Sequence, residues 1–126
     1  PDQRLCSVGL GVIAAGNLLL AITAGHITGL VAGVVVAGLG LGIAAVAATS
    51  LGTRVSDALT GSATGLLNTA AQLGTALGVA ALVTIASIAS PPTGTAIAWS
   101  AGAATAALAS LSMLTASTTP YPRLPV

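Results

Sequence analysis

Four long apolar segments follow one another along the chain, at about 5–24, 29–51, 65–87 and 95–115, each bounded by a charge or a turn signal. Each is close to the ~20 residues that a helix needs to cross a hydrocarbon layer. The pattern therefore predicts four transmembrane helices. Between the first two lies GHITG (Gly25 to Gly29), and between the last two lies SPPTG (Ser90 to Gly94), where paired prolines stop a helix and permit a tight reversal. Such short connections make the helices they join antiparallel neighbours. The middle connection, GTRVSDALTG (Gly52 to Gly61), is the longest, and the tail 116–126 is broken by prolines.

An even number of spans puts both termini and the middle connection on one side of the membrane. Arg4, Arg54 and Arg123, the three arginines of the chain, all fall on that side. By the positive-inside rule it is the cytoplasm, so the expectation is a multi-pass protein of the cytoplasmic membrane with a cytoplasmic tail. Trp99 is then expected near the outer end of the fourth helix, with its N–H among the lipid headgroups, and Tyr121 just beyond the inner end.

Composition leaves little room for another class. Of 126 residues, 55% are hydrophobic and 4% charged, with no Phe, Lys or Glu, and the mean hydropathy is +1.03. A soluble domain needs roughly a quarter of its residues charged. A transmembrane barrel needs short alternating strands and aromatic girdles, whereas this chain is 2% aromatic with unbroken Ala/Leu/Val/Gly runs. The fold class expected is all-α integral membrane. The chain begins with Pro1 and carries no signal-peptide pattern, so it is expected to be a piece of a longer protein.

Little catalytic chemistry is available. Cys6 is the one cysteine, which excludes an intrachain disulfide and a thiolate metal cluster. His26 is assigned to the outer turn and Asp57 to the inner connection, so no Ser/His/Asp relay joins them, and no carboxylate lies within a span to act as a base. No enzyme activity, metal or nucleic-acid partner is expected. Gly40, Gly42 and Ala45 imitate a dinucleotide fingerprint, but they sit inside an apolar span and not between a strand and a helix. The same region makes sense as helix packing: Gly29 with Gly33, and Gly38 with Gly42, are small-residue pairs at four-residue spacing, which let backbones approach closely in lipid. Arg54 and Asp57 are close enough in sequence to form a weak pair.

The third span, GSATGLLNTAAQLGTALGVAALVTIAS (Gly61 to Ser87), carries two amides where lipid-buried helices carry few. At ~100° per residue, Gly61, Gly65, Asn68, Gln72, Thr75 and Val79 fall along one stripe, and Leu67, Ala71, Gly74 and Gly78 along another. Leu66, Leu73 and Leu77 make a third. Two small-residue stripes predict an interior helix packed on two sides. Asn68 and Gln72 then either hydrogen-bond to neighbouring helices or line a polar pathway; Asn17 in the first span poses the same choice.

This stretch resembles the penultimate helix of the fourteen-helix drug:proton antiporter branch of the major facilitator superfamily. Gly61, Gly65, Leu66, Asn68, Thr69, Gln72, Leu73, Gly74, Ala76, Gly78 and Ala80 match that branch's pattern in place. GLGLGIA, Gly38 to Ala44, is similar to its preceding helix. The sequence departs from the pattern at Thr75, where a second glycine is common, and at Ser56 and Asp57, where prolines are common. The resemblance implies the last four helices of the bundle's C-terminal half and a proton-driven, alternating-access exporter of small amphipathic compounds, powered by the proton gradient with no cofactor. It also implies that the proton-coupling carboxylates lie in preceding N-terminal helices of the same transporter, which would be this segment's partners along with lipid and substrate. Under that reading Asn68, Gln72, Thr75 and Asn17 would border the substrate pathway, and Gly29, Gly33, Gly38, Gly42, Gly61, Gly65, Gly74 and Gly78 would be packing or sliding contacts. The alternative is a small structural membrane protein whose glycine pairs drive assembly with itself.

Overall fold

The computed structural model describes residues 2–116; Arg123 and Tyr121 lie outside the described residues. Four helices are present: α1 (Asp2–Ile22), α2 (Ile27–Gly52), α3 (Thr60–Ala86) and α4 (Thr93–Ala116), with one 3₁₀ turn, Asp57–Leu59, before α3. Among the described residues there is no strand, and all four helices are long and apolar enough to cross a membrane. Their ends lie within about a turn of the spans read from sequence, with the largest shift at α3, which starts at Thr60 through the connection's last residues.

The turn between α1 and α2 is short because Gly25 adopts φ +98°, a conformation that a residue with a Cβ rarely takes. His26 follows as the residue before α2, exposed and making no capping bond with its side chain. Gly25 lies against Pro92, so the α1–α2 and α3–α4 turns meet at one end of the bundle. At the opposite end Ser7 of α1 and Ser110 of α4 clasp each other: Ser110 Oγ donates to Ser7 O (2.9 Å), Ser7 Oγ approaches Ser110 O (3.1 Å), and the two hydroxyls are 3.0 Å apart. Ser7 is buried there. The start of α1, the end of α2 and the end of α4 therefore share one end of the bundle, as the even-span threading requires.

The tightest packing runs between α1 and α2 in one constant antiparallel register. Cβ atoms on glycine at this seam would collide with the facing backbone: on Gly9, 2.6 Å from Ala44 N; on Gly16, 2.5 Å from Ala37 N; on Gly40, 2.6 Å from Ile13 N. One on Gly33 would lie 2.6 Å from Leu20 Cγ. Each step of three or four residues forward along α1 (9, 13, 16, 20) is matched by the same step back along α2 (44, 40, 37, 33). That is the alternation of a two-stranded coil, here with small residues at the seam. Cys6, Leu20, Ala44 and Ala47 are buried along it.

The packing order is α2, α1, α4, α3. The helices α2 and α3, adjacent in sequence, meet only near their connection, where Leu67 covers Gly52. The expectation that α3 is an interior helix is not met within this chain: α3 is an end of the row, and none of its residues is buried. It leans on α4 through Leu82, beside Gly102, and Ala86, beside Gly94, and lacks a second neighbour over most of its length.

The glycine contacts make a direct prediction. Gly16→Leu should destabilise the chain by at least about 2 kcal/mol, because backbone atoms and not a movable side chain occupy the space, whereas Gly42→Leu, with nothing within 4 Å of its Cβ position, should change stability little. Denaturant titration of both variants in mixed micelles, followed by helicity, checks this.

Candidate functional site

The side-chain amides and the indole N–H in the interior of the spans fall in two places. The first is the middle of α3. An uninterrupted helix from Thr60 to Ala86 keeps Asn68, Gln72 and Thr75 on one face, as the wheel predicts. All three are exposed. Thr75 Oγ1 donates to Ala71 O at 2.9 Å, so its hydroxyl is satisfied by its own helix. The amides of Asn68 and Gln72 have no hydrogen-bond partner among the described residues. Gln72 and Thr75 border a shallow surface depression with Ala71 and Ala76. Gly61, Gly65, Gly74 and Gly78, along the same helix, have nothing within 4 Å of their Cβ positions.

The second place lies between α1, α2 and α4. Asn17 is half-buried there, with Nδ2 3.2 Å from where a Cβ on Gly102 would stand, so that glycine makes room for the amide. Asn17 and Trp99 both line an open groove of about 320 Å³ whose remaining walls are Ile13, Leu20, Val34, Ala37, Gly38 and Leu41, with Val34 and Leu41 largely exposed. Trp99 also lines a second open groove, of about 240 Å³, between α3 and α4. Its indole N–H is buried without an acceptor. Trp99 stands near the start of α4, its seventh residue and about 9 Å in from the helix start, but its N–H is buried among the helices instead of lying at the surface. A buried, unanswered donor costs about 1–3 kcal/mol.

The glycines singled out in sequence divide. Gly33 is in the α1–α2 seam, and Gly29 is crowded by the Thr23 side chain across the α1–α2 turn. Gly38 and Gly42 point away from the seam into open space. The seam instead uses Gly33 with Gly40 on α2 and Gly9 with Gly16 on α1. Seven-residue spacing of small residues on two consecutive, antiparallel spans is the signal that four-residue reasoning overlooks.

At the end of the bundle shared by the start of α1 and the end of α2, Arg54 does not pair with Asp57. Its Nη2 forms an ion pair with Asp2 Oδ2, which also accepts from Ser50 Oγ at 2.8 Å. The reason is that α2 stops at Gly52, so the chain has turned before Asp57 begins its own 3₁₀ turn, and the start of α1 is nearer. Arg4 is exposed on α1. No grouping of three or more metal-ligating residues occurs among the described residues.

Compared with known protein families, curated proteins and solved structures, the chain matches none.

Cys6 is buried, so cysteines introduced elsewhere report without a reactive background. If water reaches the amide face, Gln72→Cys should react with a charged thiol reagent on the order of tenfold faster than Leu73→Cys, because the reactive thiolate forms in water and not in lipid. Equal, slow labelling of the two would put Gln72 against protein or lipid.

Proposed function

We propose that the chain is the C-terminal membrane segment of a proton-coupled multidrug efflux transporter of the cytoplasmic membrane, exporting small amphipathic compounds by alternating access. The observation that carries the reading is α3: its motif resembles the penultimate helix of the fourteen-helix antiporter branch, and its Asn68–Gln72 face is left without a neighbour. Unpaired amides on a membrane-length helix are costly in hydrocarbon, so such a face is built to meet something polar, either water and substrate in a pathway or another helix. Preceding helices of the same transporter would supply the opposite wall and the proton-binding carboxylates, because Asp2 and Asp57, the chain's acidic residues, flank the spans.

In this role α1 and α2 act as a stiff hairpin and α3 as the element that borders the pathway. The glycines of α3 with open space around them (Gly61, Gly65, Gly74 and Gly78) would be the surfaces on which a facing helix slides. Energy would come from the proton gradient, with no cofactor.

In cells carrying the intact protein, Asn68→Leu or Gln72→Leu should cut efflux of amphipathic dyes several-fold with membrane abundance unchanged, and collapsing the proton gradient should stop efflux by the unaltered protein. Parallel loss of abundance and efflux would make the two amides packing groups. A start codon close to Pro1 in the encoding DNA, together with a homo-oligomer on sizing, would replace the transporter reading with that of a self-assembling four-helix membrane protein.

A further inference from the structure

We propose that the Asp2–Arg54 ion pair is an electrostatic strap that holds the start of α3 against the α1–α2 hairpin, and that its release lets α3 swing about its far end. The proposal concerns the chain's own motion and does not rest on the transport reading.

The seam delivers Asp2 to this place. Continuing its register by the same steps takes α1 from Gly9 to Cys6 and Asp2, and α2 from Ala44 to Ala47 and Leu51. Cys6 and Ala47 are buried, as that register requires. Asp2 is thereby set opposite the last turn of α2, where its Oδ2 accepts from Ser50 Oγ at 2.8 Å and pairs with Arg54 Nη2. Ser50 belongs to α2, but Arg54 lies beyond its end, in the connection to α3. The remaining hydrogen bonds of residues 53–59 are local turn bonds with near neighbours in sequence. Among the described residues, Arg54 is therefore the polar tie from this connection to α1.

What the strap restrains is α3. No residue of that helix is buried, and its grip on α4 is at Leu82 and Ala86, close to its end. From Leu82 back to Thr60 is about 33 Å of helix, so a tilt of about ten degrees at the grip carries Thr60 roughly 6 Å. Near its start, the contact of α3 with the hairpin is Leu67 on Gly52. In lipid such an apolar contact gains little from desolvation, which leaves the ion pair to supply the hold. Both partners reach water: the side chains of Arg54 and Asp2 are 59% and 21% exposed. A tie of that kind opens and closes at little cost, and salt screens it.

The test uses the full chain in lipid nanodiscs, spin-labelled at exposed positions. Val8→Cys with Thr64→Cys reads the distance between α1 and α3 at the Arg54 end, and Ile22→Cys with Thr84→Cys reads it at the Pro92 end. Raising salt from about 20 mM to about 1 M should increase the population with a longer Val8–Thr64 distance roughly two- to fivefold, the range set by an exposed ion pair, and leave the Ile22–Thr84 distance unchanged. Asp2→Asn and Arg54→Gln should each increase that population by a similar factor at low salt and abolish its salt dependence. The exchanged pair, Asp2→Arg with Arg54→Asp, should restore much of both. Distances insensitive to salt with Asp2 and Arg54 in place would overturn the proposal by making the pair a surface contact without mechanical effect. Equal broadening at both ends of α3 would overturn it by making the pair a general stabiliser. The salt series is read with the ion pair intact, so the outcome is decided even where a variant folds poorly. No efflux is measured, so a failure here leaves the transporter reading to its own test.

Discussion

The close antiparallel contact of α1 with α2 is the interaction from which the rest of the fold hangs. In hydrocarbon a leucine gains little by leaving lipid for protein, so helices adhere only where their backbones come close enough for dense packing and short polar contacts. Gly9, Gly16, Gly33 and Gly40 remove the side chains that would hold the two backbones apart, and Ala37 and Ala44 fill the space left. With that face of α1 committed, another face is presented to α4, and the Ser7–Ser110 clasp fixes depth and register there. Through α4 alone, over most of its length, α3 is then held.

The result is a gradient of commitment across the four helices, from the seam to the exposed α3. Hydroxyls do little to bridge it, because most bond back to their own helix: Thr69 to Gly65, Thr84 to Ala80, Ser100 to Ala96 and Thr105 to Ala101. A threonine thus satisfied is nearly neutral in a membrane. The polar groups that their own helices leave unsatisfied are different. Asn17, Asn68, Gln72 and the Trp99 N–H lie within the spans with no partner among the described residues, and they mark the two places where this chain has polar capacity to spare.

Much of the architecture is legible in the sequence. Four apolar runs, two turn motifs and the arginines are enough for helix number, pairing and the shared end of the bundle, because backbone satisfaction in lipid leaves helices few alternatives. Which faces touch is not legible. With 16 glycines in 126 residues, small-residue pairs occur at several spacings by composition alone, and the four-residue pairs Gly38/Gly42 and Gly61/Gly65 face open space. The seam can be found by asking which small residues on consecutive spans stay opposite one another when one span is reversed, a test that Gly9/Gly16 against Gly33/Gly40 passes. Asn68, Gln72 and Thr75 share a face as expected, but their surroundings depend on neighbours that a single helix wheel does not contain. Trp99 stands near the start of α4 as expected, but nearness to a helix end in sequence does not tell which way the ring turns, and here its N–H is buried among neighbouring helices.

The division of the glycines into a used and an unused set bears on how such a segment could work. A seam whose backbones interlock at Gly9, Gly16, Gly33 and Gly40 resists sliding, because any shift along the axis drives a Cβ or a carbonyl into the facing backbone. Glycines without interlocking partners present no such barrier. On the transport reading, a machine that rocks one helical group past another needs both: a hairpin that moves as one body, and a smooth helix along which motion costs little. Here α1 and α2 have the first property and α3 the second, and the two are joined at a connection where Leu67 rests on Gly52. Rigidity and mobility are thus set in adjacent helices by one residue type, according to whether a facing backbone fills the space that glycine leaves.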